Sequence, residues 1–194
     1  LEHTLVRGQL GAGVELGPGA VDVVLWNSML VGCQGAVVRC HDLDRSSEHR
    51  FSSLGSVLGG QGPAIDLIVS QMGGGRKPRS VVIRSFDSIF GRFQGAGIAS
   101  VINTGVSGVS PREAVDWLGD ANLFCGWKGF FASGPEHLLR VETLAALRST
   151  WNNSDLASRQ IHAAWPKMWN LDRLTPEVFA PFVPSKELDR KSVV

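Results

Sequence analysis

From Glu48 to Phe86 the chain reads E-H-R-F-S-S-L-G-S-V-L-G-G-Q-G-P-A-I-D-L-I-V-S-Q-M-G-G-G-R-K-P-R-S-V-V-I-R-S-F. A polar loop ending in His49 leads into a short apolar segment, which Gly59, Gly60 and Gly62 interrupt. Pro63 then suits the first position of a helix, where its missing N–H is of no consequence. Ile65, Ile68, Val69 and Met72 fall on one stripe of that helix at helical spacing. Gly73-Gly74-Gly75 ends it, since a left-handed cap favours a residue without a Cβ. Val81-Val82-Ile83 is a β-branched run between Pro78 and the turn at Asp87-Ser88, and predicts a buried strand. The stretch therefore predicts a helix, a tight basic turn and a core strand.

Working outward, Val21–Trp26 and Ala36–Cys40 are short apolar runs that predict strands, with Gly32 and Gly35 allowing a turn between them. Gly97–Asn103 predicts another. Ser110-Pro111-Arg112-Glu113 places Ser at N-cap, Pro at N1 and Glu at N3, a capping box opening a short helix that carries Ala114, Val115, Trp117 and Leu118 to Gly119. After Gly134 the helical period takes over. Pro135–Trp151 predicts the longest helix, and Ser154 or Asp155 caps a further one carrying Leu156, Ile161 and Trp165. No internal repeat is visible. These expectations make an α/β fold: a layered sheet with flanking helices over residues 1–133 and a mainly helical extension of the same domain over 134–194.

Composition narrows the function. With 43% hydrophobic residues in 194, the chain can bury a full core, and 19 basic against 18 acidic residues leave a formal charge of +1. That balance gives no field to recruit nucleic acid. No run of 18 apolar residues predicts a membrane span. Cys33, Cys40 and Cys125 match no zinc or redox spacing, which favours small buried hydrophobes and leaves a Cys33–Cys40 disulfide open.

The densest set of candidate ligands is the loop after the second strand, where His41, Asp42, Asp44 and His49 offer imidazoles and carboxylates to a divalent metal. The other reading of the loop is a solvated polar connection. Within it His49 is the candidate catalytic residue, as ligand or base, against the alternative that it fixes the loop by bonding a backbone carbonyl or Glu48. Gly73–Ser80 does not make a phosphate loop, because its lysine lacks a following Ser or Thr and Pro78 removes an amide donor. His137 and His162 fall on the expected helices and read as structural or exposed.

The segments Glu48–Gly60, Gly62–Gly73 and Pro78–Ile83, with weaker echoes at Ile98–Asn103 and Ser110–Gly119, resemble a family of uncharacterised exported bacterial proteins. That resemblance implies an alkaline-phosphatase or sulfatase-like α/β domain, or a piece of one, carried across the inner membrane by a twin-arginine signal to the periplasm or beyond. The chain departs from the family's motifs at Gly59, Leu67 and Arg84. Two functions follow as expectations. One is a metal-dependent hydrolase of phosphate or sulfate esters working at His41, Asp42, Asp44 and His49. The other is a non-catalytic binding or structural domain of a secreted or surface protein.

Overall fold

The computed structural model describes residues 1–7, 11–17, 19, 21–41, 49–68, 81–93, 100–152 and 154–162. Its unit is a short strand with alternating burial. In β3 (Val21–Trp26), β6 (His49–Leu54), β9 (Val81–Phe86) and β12 (Val115–Asp120) every second residue faces inward. These four pair in parallel, Val23 beside Phe51, Phe51 beside Ile83 and Ile83 beside Trp117. They form sheet 1.

Each strand of sheet 1 turns sharply into a strand of sheet 2, whose order is β1 (Leu5–Arg7), β4 (Met29–Cys33), β7 (Val57–Gly60), β10 (Ile89–Arg92), β13 (Leu123–Cys125) and β16 (Arg159–Ile161). A second corner leads to sheet 3: β2 (Val14–Leu16), β5 (Val38–Cys40), β8 (Ile65–Leu67), β11 (Ser100–Thr104), β14 (Gly129–Ser133) and β15 (Leu138–Val141). All neighbours are parallel except β14 and β15. Successive coils thus stack as a three-sided β-solenoid.

The corner between sheets 1 and 2 shows why the chain coils. His3, Asn27, Gly55, Asp87 and Ala121 adopt φ of 48°, 45°, 55°, 49° and 54°, a left-handed kink at the same place in five coils. The next residue is polar, and from Ser28 onward it is buried and its side chain accepts the backbone N–H of its counterpart one coil earlier. The bonds run from Thr4 N to Ser28 Oγ (3.2 Å), Ser28 N to Ser56 Oγ (3.1 Å), Ser56 N to Ser88 Oγ (3.3 Å), Ser88 N to Asn122 Oδ1 (3.1 Å) and Asn122 N to Ser158 Oγ (2.8 Å). This ladder satisfies amides that a tight corner would otherwise strand in the interior.

Between the sheets lies one continuous core. Its sheet 2 layer changes from Leu30 and Leu58 to Phe90 and Phe124, whose rings stack at 5.2 Å, with Phe130 edge-on to Phe124 at 5.0 Å. The far end is closed by α2 (Leu144–Thr150), capped by Thr143, which buries Leu147 and places Trp151 against Trp117. Trp151 Nε1 donates to the Val115 carbonyl at 3.0 Å. Asp155, fully buried, accepts from Trp117 Nε1 (2.5 Å), Ser158 Oγ (2.6 Å) and Asn122 Nδ2 (2.9 Å).

The α/β expectation is overturned: a parallel β-solenoid excludes both a layered sheet with flanking helices and an alkaline-phosphatase-like domain. The expected strands at Val21–Trp26, Ala36–Cys40, Val81–Ile83 and Gly97–Asn103 overlap β3, β5, β9 and β11, with β5 starting only at Val38. The helix expected from Pro63 begins instead as β8. Ile65 and Leu67 face inward and Asp66 outward, so pairing with β5 and β11 outweighs a stripe that fits either period. Residues 69–80, with the glycine cap and the basic turn, lie outside the described residues.

The capping box is present, with Glu113 N donating to Ser110 Oγ, yet α1 (Pro111–Ala114) is a single turn. Val115 and Trp117, two apart, continue as β12. The helical extension over 134–194 is also corrected in its described part. Gly134, at φ 81°, turns β14 back into β15, α2 follows, and Arg159–Ile161 is a strand.

Candidate functional site

The triplets of sheet 3 share one pattern: Val14-Glu15-Leu16, Val38-Arg39-Cys40, Ile65-Asp66-Leu67 and Ile102-Asn103-Thr104. In β2, β5 and β8 strand alternation sends the flanking residues inward and the middle one outward, while β11 is buried along its whole length, Asn103 included. Parallel register then aligns Glu15, Arg39, Asp66 and Asn103 in one column. Stacking has converted four scattered polar residues into a row.

The row is bonded end to end. Arg39 Nη1 donates to Glu15 Oε1 at 3.0 Å, while its Nε faces Asp66 Oδ2 at 3.8 Å as an ion pair. Asn103 Nδ2 donates to Asp66 Oδ1 at 2.8 Å, which leaves Asn103 Oδ1 as the acceptor for His137 Nδ1–H at 2.9 Å. That direction fixes the His137 tautomer and turns Nε2 away from the row. His137 holds this place through the β14–β15 turn, at φ 51° with its N–H on the Gly134 carbonyl.

At the other end His41 Nε2 lies 3.8 Å from Glu15 Oε2. Side-chain exposures of 54% for Glu15, 24% for Arg39 and 18% for Asp66 leave that end of the row open to a ligand, whereas Asn103 is only 2% exposed. Beyond His137, a cavity of about 170 Å³ is lined by Ser107, Ser133, Glu136 and Arg140, with Arg140 Nε on Ser133 Oγ at 3.2 Å.

Of the residues predicted from sequence, the two described ones lie apart, His41 just after β5 of sheet 3 and His49 at the start of β6 of sheet 1. His41 joins this outer face, whereas His49 points into the core of sheet 1, 1% exposed, with neither ring nitrogen hydrogen-bonded. The bond to a backbone carbonyl or to Glu48 expected for His49 is likewise not made. Asp42 and Asp44 lie outside the described residues. Among the described residues no three His, Cys, Asp or Glu side chains are placed to hold a metal, and no helix is long and apolar enough to cross a membrane.

The three cysteines are free and buried, so Cys33 and Cys40 form no disulfide. Burial raises the Cys33 thiol, pushes Cys125 to about 11 and, joined by the charge of Asp66, pushes Cys40 to about 12. None is poised as a nucleophile.

The polar row escaped the sequence reading, because its members lie far apart along the chain. The apolar–polar–apolar triplet of β2, β5 and β8, which Ile102-Asn103-Thr104 follows except at Thr104, is the signal that would have found them. Compared with protein-family models, with curated proteins and with solved structures, the chain matches none.

Proposed function

We propose that the chain is a non-catalytic binding module whose ligand lies along the outer face of sheet 3, parallel to the solenoid axis. The observation that carries this reading is the unbroken row Glu15–Arg39–Asp66–Asn103–His137. Acceptors and donors alternate along it at the inter-strand spacing of roughly 4.8 Å. A ligand matching it is extended and carries both donors and acceptors at short intervals.

Two carboxylates against one guanidinium do not suit a polyanion or a strong polycation. A neutral, hydroxyl-bearing polysaccharide strand suits both halves of the pattern. The carboxylates of the row already accept hydrogen bonds from Arg39 and Asn103, which favours holding a ligand over attacking one.

The test is calorimetry of the full chain against soluble neutral polysaccharides, an anionic polysaccharide and duplex DNA. A neutral polysaccharide binds, and Arg39→Ala and Asp66→Ala each weaken it about tenfold, the loss of one or two hydrogen bonds at roughly 1 kcal/mol apiece. Binding that survives both substitutions unchanged, or binding confined to the anionic polymers, overturns the reading.

A further inference from the structure

The cavity beyond His137 belongs neither to the polar row nor to the core. It is lined by Ser107 from the loop after β11 and by Ser133, Glu136, Leu138 and Arg140 from the β14–β15 hairpin. Backbone bonds hold these two segments together. Gly134 N donates to the Val106 carbonyl at 3.1 Å, Val106 N to Thr104 Oγ1 at 3.3 Å and His137 N to the Gly134 carbonyl at 3.0 Å. Gly134 has a φ of 81°, and a Cβ there would stand 3.0 Å from Ser107 Oγ, so the segments meet at a residue that needs no side chain.

Opposite charges line this space without meeting. Arg140 Nε donates to Ser133 Oγ at 3.2 Å, and Ser133 is itself 1% exposed, which anchors the guanidinium at one edge. Among the described residues its two terminal nitrogens make no further bond, and the Glu136 carboxylate makes no hydrogen bond or ion pair, with Arg140 or with any other group. A fixed guanidinium fork suits a carboxylate, and a free carboxylate suits an ammonium group. Pro135 and Leu138, the latter 49% exposed, add apolar surface to the same lining.

We propose that this cavity binds a free α-amino acid. Its carboxylate lies on the Arg140 fork and the Ser107 hydroxyl, its ammonium on Glu136, and an aliphatic side chain against Leu138 and Pro135. A simple anion would bring its charge against Glu136, and a simple cation against Arg140. The dipolar molecule satisfies both and adds no net charge. Size agrees, because about 170 Å³ is small for a drug-sized ligand and suits one of amino-acid dimensions. None of these groups takes part in the row of sheet 3, so the inference does not depend on a polysaccharide binding there.

The test is an NMR titration of the isotopically labelled full chain with leucine and with its two single-charge analogues, isocaproate, which lacks the ammonium, and isoamylamine, which lacks the carboxylate. Leucine should move the amides of Ser107, Gly134, Glu136 and Arg140 with a dissociation constant of about 1 mM, in the range of a small ligand held by few groups. Isocaproate and isoamylamine should each bind at least tenfold more weakly. So should leucine to Glu136→Gln and to Arg140→Gln, whose substituted side chains are exposed.

Unchanged amides at Ser28, Ser56 and Ser88 verify that a variant has folded. If they move, the analogues on the unaltered chain decide. Isocaproate binding as tightly as leucine would reduce the cavity to an anion site, and leucine binding undiminished in both variants would place the ligand elsewhere. No shift around the cavity with about 20 mM leucine would remove this ligand class altogether. Each of these results overturns the proposal.

Discussion

His49 occupies the column of Val21, Val81 and Val115, inward-facing and without a partner for either ring nitrogen. An imidazole buried in that way forfeits its hydration and gains only packing, at a cost of about 1–3 kcal/mol. His49→Val, which repeats the residue of the other coils, should therefore raise stability by about 1 kcal/mol in a urea melt. A loss of stability would show that His49 has a polar partner.

Cys40 makes a pH-dependent case. The unfolded thiol ionises near 9, whereas the folded one, held up by burial and by Asp66, keeps its proton to about 12. Across that window the folded state binds more protons, so stability falls as pH rises, by roughly 1.4 kcal/mol per unit from this thiol. Denaturant melts between pH 9 and 10.5 should show a shallower decline for Cys40→Ala than for wild type, whatever packing the substitution removes at neutral pH. At this scale the sequence was legible in part. It marked the three thiols as small buried groups and ranked His49 high for its chemistry, but it had no means of telling which side of a strand an isolated histidine faces.

At the scale of elements, the corner ladder carries the coil. Asn122 is its most heavily used member: Oδ1 accepts from Ser88 N and Ser85 Oγ, and Nδ2 donates to the Ser85 carbonyl and Asp155. Asn122→Ala strands these groups in the interior and should cost roughly 2–4 kcal/mol, read as a lower denaturation midpoint with an unchanged denaturant slope. A loss below about 0.5 kcal/mol would show that the ladder is incidental. The strands at Val21, Val81 and Ser100 were readable because β-branched runs and alternation need no tertiary help. The one at Ile65 was not, since Ile65, Ile68 and Met72 also fit a helix until β5 and β11 offer hydrogen bonds on both sides. The capping box gave the start of α1 correctly, but a cap says where a helix begins and nothing about how soon a neighbouring strand takes over the chain.

For the whole molecule, the hidden fact was the repeat. Ladder partners are separated by 24, 28, 32, 34 and 36 residues along the chain, a period that lengthens at every coil, so a search for a fixed period has nothing to find. The accepting side chains of the ladder vary between Ser and Asn, which share only the ability to accept a backbone N–H. The same lengthening explains why the polar row was invisible: its register exists only after the coils have stacked. The helical look of the C-terminal third has a different origin, the end of the solenoid, where α2 and the reversed β15 close a core that one more parallel coil would otherwise continue.

The central claim is that stacking builds a ligand-binding row on sheet 3. Its most direct test is a titration of the isotopically labelled full chain with the neutral polysaccharide selected by calorimetry, followed residue by residue by NMR. The account predicts that the shifting amides centre on Glu15, Arg39, Asp66, Asn103 and His137, while those at the centres of sheets 1 and 2 stay in place. Shifts centred on another face, or none at a concentration that saturates binding, would contradict it.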